Sequence, residues 1–444
     1  MKRILSILNT PASAYTLAYF RIGLGILILF STLRFLFLGW IDMQYLQPSF
    51  HFPYFGLEHF TAPSQPFVQL IFGILCISSV GVILGYHFRL MSIAMFLSFT
   101  YIELWDVSFY LNHYYAVSLF CLILCAIPSH AVASLDASSG RVKKSTIVPY
   151  WTHLLILFQI AVIYVYAGIA KINSEWLLSA MPLRLWLPAQ SSFPIIGDFL
   201  ELEATAYLFS WFGMLYDMFI IAFLINKNTR YYAFATAIVF HGFTGLFFQI
   251  GVFPLVMIFM ATMFFNSSFH ARIVHSLFRL PDQQSDNVMQ ALSFYGFLAI
   301  GVYVAFQLLF PLRYMAYPGD YQWTEQGYRF GWRVMLTEKS GIAQFIITDR
   351  KTGKKGYVNN AEWLSIHQEK QMSYQPDMIL AFAHYLHDQY QQKGINDPIV
   401  TVDCWVTMNG RPSARLIDPN IDLSRIEDGL AHKSWIAPYP GAIQ

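Results

Sequence analysis

The sequence predicts a polytopic α-helical membrane protein of about eight to nine transmembrane helices, followed by a C-terminal extracytoplasmic domain of α+β or β-sandwich type. Three observations carry this. Only 12% of the 444 residues are charged, against 56% hydrophobic and 18% aromatic, about half the ~25% charge of an ordinary soluble chain. Apolar runs of roughly 20 residues recur, the length that crosses a hydrocarbon core. The charges are also unevenly spread, with 26 Asp, Glu, Lys and Arg residues in 1–312 and 28 in the shorter stretch 313–444. The chain therefore divides into a membrane domain, 1–312, and a soluble domain, 313–444. A net charge of +2 points to no nucleic-acid partner; the partner that composition implies is the lipid bilayer.

Taken in order, the expected spans are 14–38, 67–85, 89–105, 111–128, 152–171, 205–225, 231–248, 251–266 and 290–312. Met1-Lys2-Arg3 precedes the first without a small-residue cleavage site, so the first run reads as a retained helix. The seventh and eighth read either as two short helices hinged at Gln249-Ile250-Gly251 or as one kinked span with a re-entrant piece. Basic residues fall in alternate connections: Lys2/Arg3, His87/Arg89, Arg141/Lys143/Lys144, Lys227/Arg230 and Arg272/Arg279. The other connections are poor in Lys and Arg, with Arg184 the exception. By the positive-inside rule the N-terminus is then cytoplasmic and the soluble domain lies on the other side of a cell (inner) membrane. Three of the four cysteines, Cys76, Cys121 and Cys125, sit in apolar runs. Cys404 alone is in the tail, which excludes a disulfide within it. In the tail, 343–348 and 399–407 have strand composition, 349–353 a hairpin turn, and 378–392 helical spacing.

Three polar sites stand out within or beside the spans: Asn112-His113 opens the fourth, Lys171 closes the fifth, and His241 lies about ten residues, roughly 15 Å, into the seventh. The topology puts them at one level, toward the soluble domain. Each has an ordinary structural explanation. A lysine at a span end snorkels to water, an intramembrane histidine bonds a neighbouring helix, and Asn112 caps the fourth helix. Arg21, Arg34 and Arg89 read as anchors, Asp217 as a residue with an internal partner, and Trp40, Trp105, Trp151 and Trp186 as an interfacial belt. The histidines are not at metal-ligand spacing.

Several blocks in order resemble the vitamin K-dependent γ-glutamyl carboxylase family, whose membrane part is shared with the HTTM group. Asn112-His113-Tyr114-Tyr115 is similar to its WNNHxY element, with Tyr110-Leu111 in place of Trp-Asn. Tyr166-Ala167-Gly168-Ile169-Ala170-Lys171, with Trp176 beyond, resembles IAGxKK…DW. Phe240-His241, Phe248, Ile250-Gly251 and Phe253-Pro254-Leu255-Val256-Met257 resemble FHxxxxxxFxIGxFPxVM. Past the membrane, Trp323-Thr324, Gly331-Trp332-Arg333-Val334-Met335, Thr352-Gly353, Gly356-Tyr357-Val358-Asn359, Asp403, Trp405-Val406 and Asp418-Pro419 have counterparts. The resemblance spans nearly the whole chain and is of a bacterial-type homologue.

The resemblance implies that Lys171 is the catalytic base, with Ala170 standing where the family has a first lysine. It implies that His113 and Asn112 assist the chemistry, that His241 contacts the quinone, and that Trp323 and Tyr328 lie in a glutamate-contacting region where Gly327 replaces the family's leucine. The implied reaction carboxylates peptidyl glutamate with CO₂ while O₂ converts a reduced vitamin K, a naphthohydroquinone such as menaquinol, to its epoxide; no metal takes part. A lysine is far too weak for a carbon acid but matches a phenol-like quinol, near pKa ~10, provided the amine is neutral, a state that apolar surroundings favour. Two alternatives stay open: a quinol epoxidase or oxidase without carboxylation, favoured by Ala170 and Gly327, and a non-enzymatic quinone- or lipid-binding module.

Overall fold

A computed structural model describes residues 2–248, 250–278 and 292–441. Gln249, Arg279 and the start of the ninth expected span lie outside the described residues. The principal helices of the membrane domain are α1 (Ala14–Phe37), α2 (Gln65–Leu84), α3 (Phe88–Glu103), α4 (Asn112–Ala126), α5 (Trp151–Ala170), α6 (Glu203–Ile225), α7 (Arg230–Phe248), α8 (Phe253–Ala261), α9 (Ser267–Phe278) and α10 (Phe294–Leu309). Each expected span has a helix, and length and composition support six or seven of the expected eight to nine crossings. Among the described residues, six helices are long and apolar enough to cross a membrane, the last of them running on through Ala316, and a seventh crossing is present if Phe253–Phe264 and Ser267–Phe278, bent by 119°, form one broken span. With 16 and 15 residues, α3 and α4 reach only ~24 Å and ~22 Å, short of a ~30 Å core.

Buried polar groups hold the bundle, and Arg21 is the clearest correction to the anchor reading. It is fully buried, and its guanidinium donates to the carbonyls of Val82 (2.7 Å), Ile83 (2.8 Å), Ser129 (3.1 Å) and Ala133 (2.5 Å). These carbonyls lie at the end of α2 and in the loop after α4, where helix ends leave acceptors unsatisfied. Gly85, at φ +62°, ends α2 beside it; a Cβ there would meet Ser134 and Arg21. Trp105 is likewise fully buried and not part of an interfacial belt.

The C-terminal domain is α+β, with one sheet and no second sheet facing it among the described residues, so the β-sandwich alternative falls away. Strands β1 (Lys339–Thr348), β2 (Lys355–Tyr357), β3 (Ile399–Met408) and β4 (Ala414–Arg415) form an antiparallel sheet in the order β2-β1-β3-β4. The register sets Ala343 opposite Cys404 and Ile347 opposite Val400. Alternate residues Phe345, Ile347, Val400, Val402 and Val406 are buried, as a half-buried sheet requires. Helices α11 (Ile366–Met372) and α12 (Pro376–Gln392) cover that face, and α11 opens on a capping box between Ser365 and Gln368. The expected hairpin is present, with Gly353 N–H donating to Asp349 O at 2.8 Å. Phe52 and Tyr54, from the connection between α1 and α2, join this core. The two domains therefore share a core, and the boundary at 312/313 falls in the 3-10 turn Phe310–Ala316.

Candidate active site

Lys171 does not snorkel. It is 6% exposed, and its Nζ pairs with Asp217 Oδ2 at 2.7 Å and donates to Ala167 O at 3.2 Å. Local sequence explains the meeting. Tyr164, Ala167 and Lys171 share one face of α5 by helical spacing. Gly168 brings α5 against α6, where a Cβ would come within 2.9 Å of the Met218 backbone nitrogen, next to Asp217. Beyond Lys171, Asn173 caps the short helix Ser174–Ser179 by accepting from Trp176 N–H at 2.9 Å. This sets the Trp176 indole 5.4 Å from Nζ, with its own N–H donating to Ser210 O at 2.8 Å. The sequence led us to expect an amine kept neutral by apolar walls; the structure gives it a carboxylate. Asp217 has the internal partner expected of it, and that partner is the lysine itself.

Lys171 and Asp217 line a narrow cavity of about 100 Å³, with Tyr164, Phe240, His241 and Phe253 among its walls. His241 is 2% exposed. Its Nε2 hydrogen-bonds the Tyr164 hydroxyl at 2.8 Å, the helix–helix bond expected of a membrane histidine, yet its buried Nδ1 has no partner among the described residues. Depending on tautomer, Nδ1 is a donor or an acceptor.

Asn112 and His113 lie in a second, wider cavity of about 1040 Å³. Phe253, Ile250, Val334 and Met335 line both spaces and so form a partition. The rings of His113 and His241 stand 5.5 Å and 5.9 Å from that of Phe253. The four residues expected at one level thus split into two pairs on either side of a shared wall. Asn112 is not the side-chain cap of α4, whose N-cap is Leu111. Its amide donates to Arg333 O at 3.1 Å and its oxygen accepts from the Tyr110 hydroxyl at 3.1 Å. These bonds pull down a segment of the C-terminal domain. Phe330, Trp332 and Met335 there have positive φ of 57°, 59° and 51°, costly for side chains with a Cβ. Trp332 stacks on Tyr115 with ring centroids 4.9 Å apart.

Trp323 and Tyr328 line neither cavity. Trp323 is fully buried, its indole N–H donating to Ala437 O at 2.8 Å. Tyr328, Tyr314 and Tyr321 surround the Arg333 guanidinium, and burial raises the Tyr328 phenol above its usual range. Gly327, at φ +72°, lies so close to Tyr314 that a Cβ would come within 2.7 Å of its Cα, so a leucine has no room. Asp217, Tyr164 and Phe253 were not assigned to a site from the sequence. The signal for Asp217 was its type, since an acid inside a span requires a partner.

Among the described residues no cluster of His, Cys, Asp and Glu could hold a metal. The HTTM domain matches residues 9–269, and the lumenal domain of vitamin K-dependent gamma-carboxylase matches residues 293–442. No solved structure matches the chain. With these two domains in series over nearly its whole length, the chain belongs to the vitamin K-dependent gamma-carboxylase family.

Proposed function

We propose that this carboxylase-like membrane protein is a γ-glutamyl carboxylase that couples O₂-dependent epoxidation of a reduced naphthoquinone to carboxylation of a glutamate in a polypeptide. The observation that carries this is the Lys171–Asp217 pair exposed to an apolar cavity. The chemistry of the walls fits a quinol: aromatic and aliphatic sides for the ring and tail, Lys171 and Asp217 at one place, and the unpartnered Nδ1 of His241 at another. The room does not suffice as it stands, because about 100 Å³ is below the ~150 Å³ that holds a single benzene. Binding a fused ring therefore requires the walls of this cavity to give way. When bound, the reduced quinone supplies with O₂ the strong base that a carbon acid needs.

The chain's own residues then have separable tasks. Lys171 accepts a proton only once the proton it shares with Asp217 sits on Oδ2, so the pair acts as a neutral amine and carboxylic acid of zero net charge. That redistribution costs less in an apolar site than creating a lone charge. His241 Nδ1 offers a hydrogen bond to a ring oxygen, with Tyr164 holding the other side of its ring. Asn112 is a positioning residue, since its amide is committed to Arg333 and Tyr110. His113, held by Tyr114 and Phe253, faces the cavity from which a polypeptide would approach. The alternating basic loops support an orientation with the N-terminus cytoplasmic and the C-terminal domain outside a cell (inner) membrane.

One observation favours a second reading, epoxidation without carboxylation: at Gly327 the family's leucine cannot be accommodated. Incorporation of ¹⁴CO₂ into a glutamyl peptide by the purified protein, with reduced vitamin K and O₂, separates the two. Epoxide with label is the expected result. Epoxide without label establishes the second reading, and neither product overturns both in favour of a binding module.

A further inference from the structure

We infer that Arg34 and Lys370 form an anion subsite in the wide cavity that takes the side-chain carboxylate of the polypeptide's glutamate. This rests on the carboxylase reading and deepens it, because it moves glutamate recognition away from the Trp323–Tyr328 region.

The inference starts from charge. The cavity is lined by Arg34, Lys370, His113 and His367 and by the amides of Gln44, Gln47 and Gln371, but by no Asp or Glu. A cavity with cations on opposing elements and no carboxylate among its lining residues favours an anion. Arg34 projects from the last turn of α1, and its guanidinium stacks on Trp40 at 4.5 Å. Among the described residues it has no hydrogen-bond acceptor and no ion-pair partner. Lys370, on α11 of the C-terminal domain, likewise has no carboxylate partner there. Elsewhere in the C-terminal domain, Arg329 is paired with Asp377, Lys339 with Glu325 and Lys433 with Asp428. A guanidinium held by stacking keeps its N–H fork free, the arrangement suited to a bidentate carboxylate.

Position supports the same assignment. A Cβ on Gly251, at φ +64°, would stand 3.4 Å from Arg34 Nη1, so Arg34 lies against the turn that leads into Phe253 and the partition. The carboxylate group would thus be held on one side of the wall whose other side carries Lys171. Ser365, Ile366 and Lys370 of the same cavity belong to the C-terminal domain, so the space is bounded by both domains, as a site shared between an extended peptide and a membrane-bound cosubstrate must be. A favourable term for Arg34 at the C-terminus of α1 comes from the helix dipole, but that term does not require a cavity free of acids.

The test measures binding without turnover. The full-length protein in phosphatidylcholine nanodiscs is titrated with a short peptide carrying one glutamate, acetylated and amidated at its ends, and with its glutamine counterpart. The glutamate peptide is expected to bind at least about tenfold more tightly, the worth of a charge-assisted hydrogen bond. That preference should fall to near unity in Arg34→Gln, fall partly in Lys370→Gln, and survive in part in Arg34→Lys. An unchanged preference in Arg34→Gln and Lys370→Gln would overturn the proposal. If Arg34→Gln does not fold by thermal unfolding, the Lys370→Gln arm, on an exposed side chain, decides it alone. A parallel series adds phosphatidylglycerol; competition that vanishes in Arg34→Gln, with peptide preference unchanged, would make the anion a lipid headgroup and also overturn it. Because no quinol is present, an Arg34-dependent preference in a protein that incorporates no ¹⁴CO₂ would leave the subsite standing while the carboxylase reading fails.

Discussion

Two buried lysine–carboxylate pairs in this molecule are nearly superimposable in their chemistry. Lys171–Asp217 is 2.7 Å long with both side chains 7% exposed; Lys339–Glu325 is 2.8 Å long with side chains 4% and 11% exposed. Each ammonium also donates to a backbone carbonyl at 3.2 Å, Ala167 in one case and Trp323 in the other. Each sits near an aromatic ring, Trp176 at 5.4 Å and Tyr374 at 5.6 Å. What differs is the space around them. Lys171 and Asp217 open onto an apolar cavity with an unpartnered histidine nitrogen, whereas Lys339 and Glu325 line neither cavity and fasten β1 to the turn at Glu325. A buried ion pair is by itself weak support for function, or even for stability. Room for a reactant beside it is what distinguishes the two.

The largest expected difference is in turnover. Asp217→Asn removes the group that takes the lysine's proton and should lower ¹⁴CO₂ incorporation by about 10²- to 10⁴-fold. Glu325→Gln should leave turnover per folded molecule unchanged. Equal losses in both would erase the distinction between the pairs. Stability should treat them alike: removing one partner leaves a buried charge, at a cost of about 3–5 kcal/mol. Replacing both members by apolar residues should return most of that stability, in Lys171→Met with Asp217→Leu as in Lys339→Met with Glu325→Leu, yet only the second protein should be active. Denaturant or thermal melts read beside the assay would show this. The smallest effect belongs to Tyr328→Phe. If Tyr328 only packs against Arg333, the change should cost about 1 kcal/mol or less and leave the KM for peptide unaltered; a rise of tenfold would return Tyr328 to the peptide site.

Much of this was readable in the sequence, for identifiable reasons. Helix positions followed from apolar runs, and β1, β3, the hairpin and α12 from period and turn chemistry. Lys171 was found because a lysine inside an apolar run is energetically conspicuous. Its pairing with Asp217 was not, because the two are 46 residues apart on different helices and no local pattern encodes which faces meet. Gly168 holds that information, but only once α6 is seen against it. Arg21 was misread as an anchor because position along a helix says nothing of which face is buried. Trp323 and Tyr328 were placed with the substrate by resemblance, but a motif does not show that Trp323 bonds Ala437, distant in sequence, or that Tyr328 packs on the nearby Arg333. Length and composition support six or seven crossings among the described residues; α3 and α4, bounded by the loops around Gly85 and Asp106, are apolar but only 16 and 15 residues long.

The central claim is that Lys171, and not merely a buried lysine, starts the chemistry. It is tested most directly by measuring epoxide formation from reduced vitamin K, with a glutamyl peptide present, in Lys171→Ala beside Lys339→Ala, each scored per folded molecule. The account predicts that Lys171→Ala loses about 10²-fold or more of the epoxide while Lys339→Ala keeps it. Undiminished epoxide formation by folded Lys171→Ala would contradict it.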